Sequence, residues 1–164
     1  MGRRQFLSVV GATLGLAPIV AWFARPSAAR RDAVARFPVE KSDDEWRREL
    51  TPAAYYVLRD HGTERPGSSA LNHEKRKGTF TCAACGQALF DSDTKYESGT
   101  GWPSFWKPLD TAVGTTVDRS YFMVRTEVHC ARCGSHLGHV FSDGPKPTGL
   151  RYCMNGVALA FKPE

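Results

Sequence analysis

Five cysteines, Cys82, Cys85, Cys130, Cys133 and Cys153, carry most of the chemistry open to this sequence of 164 residues. Four of them form two copies of one device, Cys82-Ala-Ala-Cys85-Gly and Cys130-Ala-Arg-Cys133-Gly. A Cys-x-x-Cys pair in a tight turn points two sulfurs at one place, and the glycine lets the backbone fold back beneath them. Two such turns brought together supply a tetrahedron of thiolates, as a structural Zn²⁺ requires. A redox dithiol or a pair of disulfides are the alternatives. The duplicated glycine, and the lack of a helix opening after either pair, favour metal. The expectation is one zinc ion per chain, in a closed site that contributes to folding and not to catalysis.

Cys153 stands apart, in Leu150-Arg151-Tyr152-Cys153-Met154-Asn155-Gly156. On a strand, Arg151, Cys153 and Asn155 share one face. A guanidinium beside a thiol favours the nucleophilic thiolate. Two plainer readings stand beside this one: a buried structural cysteine, and Asn155-Gly156 as a hairpin turn. His136 and His139 follow directly on the second cysteine turn. They face opposite ways on a regular strand, but a bulge at Gly138 would turn both rings to one side for acid–base work. They are poor zinc ligands here, because four cysteines already complete a site. In Ser98-Gly-Thr-Gly-Trp-Pro-Ser-Phe-Trp106, Phe105 is expected to plug the core. Trp102, between glycine and proline, is expected to wall a pocket.

The elements that must position these residues are short. Ser42-Asp-Asp-Glu45 is a capping box, predicting a helix through Leu50. Thr51-Pro52 restarts it as N-cap and first helical position, and the second helix should run to His61 and end at Gly62. Residues 62–78 have the composition of a loop. Helical periodicity then gives way to alternating runs: Thr79–Cys82, Ala88–Phe90, Ser120–Val128, Leu137–Phe141, Leu150–Cys153 and Val157–Phe161. The fold class expected is mainly β, behind a short helical lead-in.

Composition excludes several other classes. The chain is 41% hydrophobic and 24% charged, which suits one globular domain and neither disorder nor a multi-span membrane protein. The formal charge is +5, but Arg3, Arg4 and Arg25 fall in residues 1–29, which hold no acid, so the remainder carries only +2. A nucleic-acid partner is therefore not expected. Residues 1–29 have the layout of an export signal: Arg3-Arg4 before Phe6-Leu7, an uncharged stretch to Ala24, and Ser27-Ala-Ala29 as a cleavage site. The paired arginines resemble a twin-arginine signal, which implies a periplasmic or otherwise exported protein. An uncleaved membrane anchor is the competing expectation. Residues 30–41 are expected as a polar, poorly ordered linker ahead of a domain over 42–164.

Taken together, the motifs closely resemble the type B methionine sulfoxide reductases over about residues 40–163. The matching runs are the first Cys-x-x-Cys, Lys95-Tyr-x-Ser-Gly-x-Gly-Trp-Pro-Ser-Phe105, Arg125-Thr-Glu-Val-x-Cys-x-x-Cys-Gly-x-His-Leu-Gly-His-Val-Phe141, Asp143-Gly-Pro145 and Gly149-Leu-Arg-Tyr-Cys-x-Asn155. The resemblance implies two antiparallel sheets with short N-terminal helices, and a zinc site at Cys82, Cys85, Cys130 and Cys133. It makes Cys153 the catalytic residue, with His136, His139, Arg151 and Asn155 around it, and Trp102 against the sulfoxide's methyl group. It implies a monomer that acts on oxidised proteins and is recycled by a thioredoxin-like or other thiol reductant. Two departures matter. Thr100 stands where many members carry a second, resolving cysteine, and Gly156 stands where a serine is expected. The alternative function is a non-catalytic zinc-knuckle binding module. A zinc hydrolase would need the open metal position that four cysteines deny.

Overall fold

A computed structural model describes residues 37–164, so the predicted export signal and the first part of the linker lie outside the described residues. Residues 37–41 are tied to the second cysteine turn. Phe37 meets His129 edge-on at 5.6 Å, and the Val39 N–H donates to the Arg132 carbonyl. Residues 37–41, expected as the end of a poorly ordered linker, are instead held against the domain, because Phe37 and Val39 find a surface to cover.

The capping box forms as expected. Ser42 Oγ accepts from the Glu45 N–H, and the Glu45 carboxylate accepts from the Ser42 N–H at 2.8 Å. Helix α1 (Asp43–Glu49) follows, with acids in its first turn and arginines in its last, matching the helix dipole. Thr51 caps α2 (Pro52–Leu58), which ends three residues short of His61. Its end is set by the chain reversing: His61 takes a left-handed φ of 56° and the Gly62 N–H returns to the Tyr56 carbonyl. Among the described residues no helix is long and apolar enough to cross a membrane.

Nine strands follow: β1 (Gly78–Cys82), β2 (Ala88–Asp91), β3 (Lys95–Tyr96), β4 (Ser104–Phe105), β5 (Val113–Asp118), β6 (Arg125–Cys130), β7 (His136–Phe141), β8 (Arg151–Met154) and β9 (Leu159–Pro163). They form two antiparallel sheets, ordered β2-β1-β9 and β3-β4-β8-β7-β6-β5. The aromatic core joins them: Phe105 of β4 stacks on Phe90 of β2 at 4.3 Å and meets Phe80 of β1 edge-on at 4.9 Å. Phe105 is thus the core plug expected of it.

Other sequence expectations are corrected too, the expected strand over 157–161 among them, which begins only at Leu159. β5 was not anticipated, because as an edge strand it exposes Thr115, Thr116 and Val117 and lacks alternation. The expected strand over 120–128 begins only at Arg125. Tyr121 and Phe122, with φ of 53° and 57°, turn the chain instead. Asn155-Gly156 is no hairpin turn either. β8 and β9 belong to different sheets, and a 3₁₀ turn over Gly156–Ala158 carries the chain between them.

The β6–β7 pairing contains the irregularity that matters most. Glu127 pairs with His139 and Val128 with Gly138, but His129 pairs with His136, so Leu137 is an extra residue. Glu127 and His129 share a face of β6, and the bulge therefore places His139 and His136 on one face of β7. Gly138 itself is opposite Met154, where a Cβ would run into the Cys153 carbonyl oxygen. Gly138→Ala should force β7 from β8 and cost about 1–3 kcal/mol. Thermal unfolding checks this, and an unchanged midpoint would contradict the close approach.

Candidate functional site

The two cysteine turns are built alike. In the first, the Gly86 N–H donates to the Cys82 carbonyl and the Cys82 N–H to that of Gln87. In the second, Gly134 donates to Cys130 and Cys130 to Ser135. Gly86 and Gly134 hold left-handed φ of 73° and 69°, the conformation that returns the chain beneath the sulfurs. All four Sγ atoms lie within 4.8 Å of one another. Two gaps are known across the turns, 3.8 Å for Cys82–Cys133 and 3.6 Å for Cys85–Cys130. A tetrahedron with metal–sulfur bonds of about 2.3 Å has edges of about 3.8 Å. The donor set and its spacing fit a metal ion of that kind.

Cys153 lies half-buried at the centre of the larger sheet, paired with Ser104 of β4 on one side and His139 of β7 on the other. It opens on a cleft of about 130 Å³ shared with Trp102, Phe141, His139, Arg125 and Asn155. A chain of hydroxyls reaches its sulfur: Ser104 to Ser98 at 2.8 Å, Ser98 to Thr100 at 2.8 Å, and Thr100 Oγ1 to Cys153 Sγ at 3.8 Å. Trp102 is held by its indole N–H donating to the Glu64 carbonyl.

The two histidines are brought together, with ring centroids 5.4 Å apart, yet they occupy different surroundings. His139 lines the cleft, and its Nε2 is 2.8 Å from Asp118 Oδ2. His136 is buried behind it, with Nδ1 at 2.8 Å from Glu127 Oε1. An ionised carboxylate only accepts, so each histidine carries a hydrogen on the named nitrogen. The Nε2 of His136 is buried without a partner among the described residues. Burial pushes His139 towards the neutral form, against the pull of Asp118. Ser120 hydrogen bonds, then His139 and Arg125, hold Asp118 well below the usual carboxylate range. Burial pushes Glu127 up, but the bonds from His136 and His61 outweigh it, and its carboxyl sits far below the ordinary value. The Glu127 bond in turn raises His61, whose Nδ1 lies 3.0 Å from it.

Asn155 lines the cleft and Arg151 lies outside its lining, and both have most of their polar groups committed. The Arg151 guanidinium grips Asp143 through two bonds of 2.9 and 2.7 Å and lies over the Phe141 ring. Asn155 Nδ2 donates to the Leu137 carbonyl, and its Oδ1 accepts from the Glu64 N–H. Gly156 does not loosen this arrangement, because its N–H and that of Val157 both donate to the Glu64 carboxylate.

Asp118, Arg125, Glu127, His61 and Glu64 were missed in the sequence. For Arg125 and Glu127 a signal existed: they alternate on the strand that precedes the second cysteine turn, so they share a face. Their partners come from β5 and from the helix end, whose placement no local pattern gives. Glu64 sits in a loop and shows its role only through contacts with residues 102 and 155–157.

The comparisons with known proteins agree with this geometry. Residues 50–163 match the SelR domain family. The chain is 61% identical over 132 residues to a Methanosarcina barkeri protein named peptide methionine sulfoxide reductase MsrB, covering 80% of this chain and 93% of that one. Proteins of the same name from Leptospira interrogans and Pseudomonas putida are each 56% identical. They cover 78% and 77% of this chain, and 98% and 96% of their own lengths.

The Glu127 pair predicts a pH profile for stability. A carboxyl held below its ordinary 4.5 stabilises the fold above that pH and loses its contribution as pH falls further. His61, raised above 6.5, stabilises below that pH and loses its contribution as pH rises through its folded value. Glu127→Gln should flatten the melting-temperature curve at both ends. Wild-type slopes in the variant would contradict the assignment.

Proposed function

This chain belongs to the SelR family of peptide methionine sulfoxide reductases, and on that premise we propose that it reduces the R epimer of methionine sulfoxide in proteins, with Cys153 as nucleophile. The observation that carries this reading is the sharing of one small cleft by the Cys153 sulfur, the Trp102 ring and a histidine fixed by a carboxylate. A sulfoxide sulfur becomes electrophilic when its oxygen is protonated. The Cys153 thiolate attacks that sulfur while His139, the histidine on the cleft wall, acting as the imidazolium, gives a proton to the oxygen and is left as the neutral imidazole hydrogen-bonded to Asp118. The hydroxyl passes to Cys153, the thioether leaves, and a sulfenic acid remains. Trp102 offers an apolar face to the methyl group, which fixes the epimer accepted. Asp118 and Glu127 orient the two imidazoles. Arg151 and Asn155 serve as positioning residues, one through Phe141 and the other through Glu64 and Leu137.

Recycling falls to an external thiol, because Thr100 stands beside Cys153 and the other four cysteines are clustered together. One thiol condenses with the sulfenic acid to release water and form a mixed disulfide, and a second frees Cys153. A thioredoxin-like donor fits this chemistry. In the four-cysteine cluster Zn²⁺ is the ion that suits all-thiolate tetrahedral ligation. The export-signal reading of residues 1–29 makes the enzyme a repair protein outside the cytoplasm, meeting proteins under oxidative stress.

Racemic N-acetyl-methionine sulfoxide with excess dithiol tests the reading. Wild-type protein should consume only the R epimer, Cys153→Ser should consume neither, and Trp102→Ala should lose at least about tenfold in kcat/KM while still folding. A wild-type protein with no turnover would favour a zinc-knuckle binding module, and consumption of both epimers would remove the assignment to Trp102.

A further inference from the structure

Two walls of the Cys153 cleft come from distant parts of the chain, Trp102 from the loop before β4 and Asn155 from the end of β8. One residue bonds to both. The Glu64 carbonyl accepts from the Trp102 indole N–H at 3.2 Å, and the Glu64 N–H donates to Asn155 Oδ1 at 3.0 Å. These are main-chain groups, so they hold the walls only as firmly as the backbone at residue 64 is itself held. That backbone lies outside helix and strand, where no ladder fixes it.

The Glu64 side chain supplies the hold. Its two carboxylate oxygens accept from consecutive N–H groups, Gly156 at 2.5 Å and Val157 at 3.0 Å. Such bonds are stronger than those between neutral groups. They tie the loop to the 3₁₀ turn that directly follows Asn155. The loop also grips the chain beside Trp102, because the Gly67 N–H donates to the Gly101 carbonyl at 2.7 Å. Gly156 belongs to the same bracket. A Cβ there would lie 2.0 Å from Ser69 Oγ and 3.2 Å from Glu64 Oε1, and Ser69 is fixed as the cap of a 3₁₀ turn over Ala70–His73. A serine at 156 would therefore press on the bracket. Cys153 and the two histidines are held separately, by β4, β7 and their carboxylates.

We propose that Glu64 is a positioning residue that fixes the spacing of Trp102 and Asn155, and through it the size of the group accepted on the sulfoxide sulfur. This role rests on the reductase reading and states what the same site selects. Without the carboxylate the loop moves, and the indole and the Asn155 amide lose their common support. A displacement of about 1 Å at such a wall is costly to a fitted substrate. The nucleophile and the proton donor stay in place, so chemistry on bound substrate continues while fit is lost.

The N-acetyl R epimers of methionine sulfoxide and ethionine sulfoxide, with dithiol as reductant, test this on the full chain. They differ by one methylene on the sulfur, which a fitted apolar pocket separates by about tenfold or more. Wild-type protein should prefer the methyl compound by at least about that factor in kcat/KM. Glu64→Ala should shrink the preference to about twofold and raise KM for methionine sulfoxide about tenfold, with kcat within about threefold of wild type. Glu64→Gln keeps an acceptor for one of the two N–H groups and should fall between. Gly156→Ser should narrow the preference too, and adding Ser69→Gly should restore it. A Glu64→Ala protein that keeps the wild-type preference would overturn the role. So would a fall in kcat by one factor on both compounds with KM unchanged, the mark of a general loosening. A wild type that accepts both compounds equally would overturn it as well. If Glu64→Ala does not fold, Glu64→Gln and the Gly156→Ser pair decide by the same criteria. A wild type inactive on both compounds would instead defeat the reductase reading, a result that needs no variant.

Discussion

Cys82 closes β1 of the three-stranded sheet, Cys130 closes β6 of the six-stranded one, and their sulfurs share a space with those of Cys85 and Cys133. This cluster fixes where the second sheet stands on the first. Its reach is short and direct. Three residues after Cys133 the chain enters β7 at His136, and Arg59 at the end of α2 donates to both the Cys133 carbonyl and Ser135 Oγ. Phe37 and Val39 cover the second turn from the other side. A shift in this turn would therefore be felt within one peptide length of the histidines.

From that anchor the site is assembled by strand register. β7 brings the histidines to one face through its bulge, and the missing Cβ of Gly138 lets β8 close on it. β6 and β5 then deliver carboxylates to the imidazoles: Glu127 lies across from His139 in the ladder and bonds His136, and Asp118 reaches His139 past Arg125. Half-buried carboxylates are tolerated here because each accepts bonds from two or more donors. Cys153 sits in a sheet interior, where neighbouring strands hold it more rigidly than a loop would.

Local signals in the sequence were sound where the physics is local. The Ser42 box, the Thr51-Pro52 restart and the matched Cys-x-x-Cys-Gly turns depend on spacing of a few residues, and they form as the spacing requires. The bulge at residues 136–139 was legible because two histidines around a glycine need one to act together. Long-range pairing was not. β5 carries too little hydrophobicity to announce itself, and it holds Asp118. Tyr121 to Val124 reads as strand by composition, yet a turn was needed there and the aromatics were left outside. The polar groups of Arg151 and Asn155 face Asp143, Glu64 and Leu137, partners separated by up to 91 positions.

The central claim is that Cys153 alone carries the oxidation through a turnover. Mass analysis after a single turnover, with excess sulfoxide and no reductant, tests it most directly. The account predicts one oxygen added at Cys153, trappable by a sulfenate-specific reagent at close to one label per chain, with metal content unchanged. An internal disulfide, or zinc released in step with turnover, would contradict it and make a cysteine of the cluster the resolving thiol.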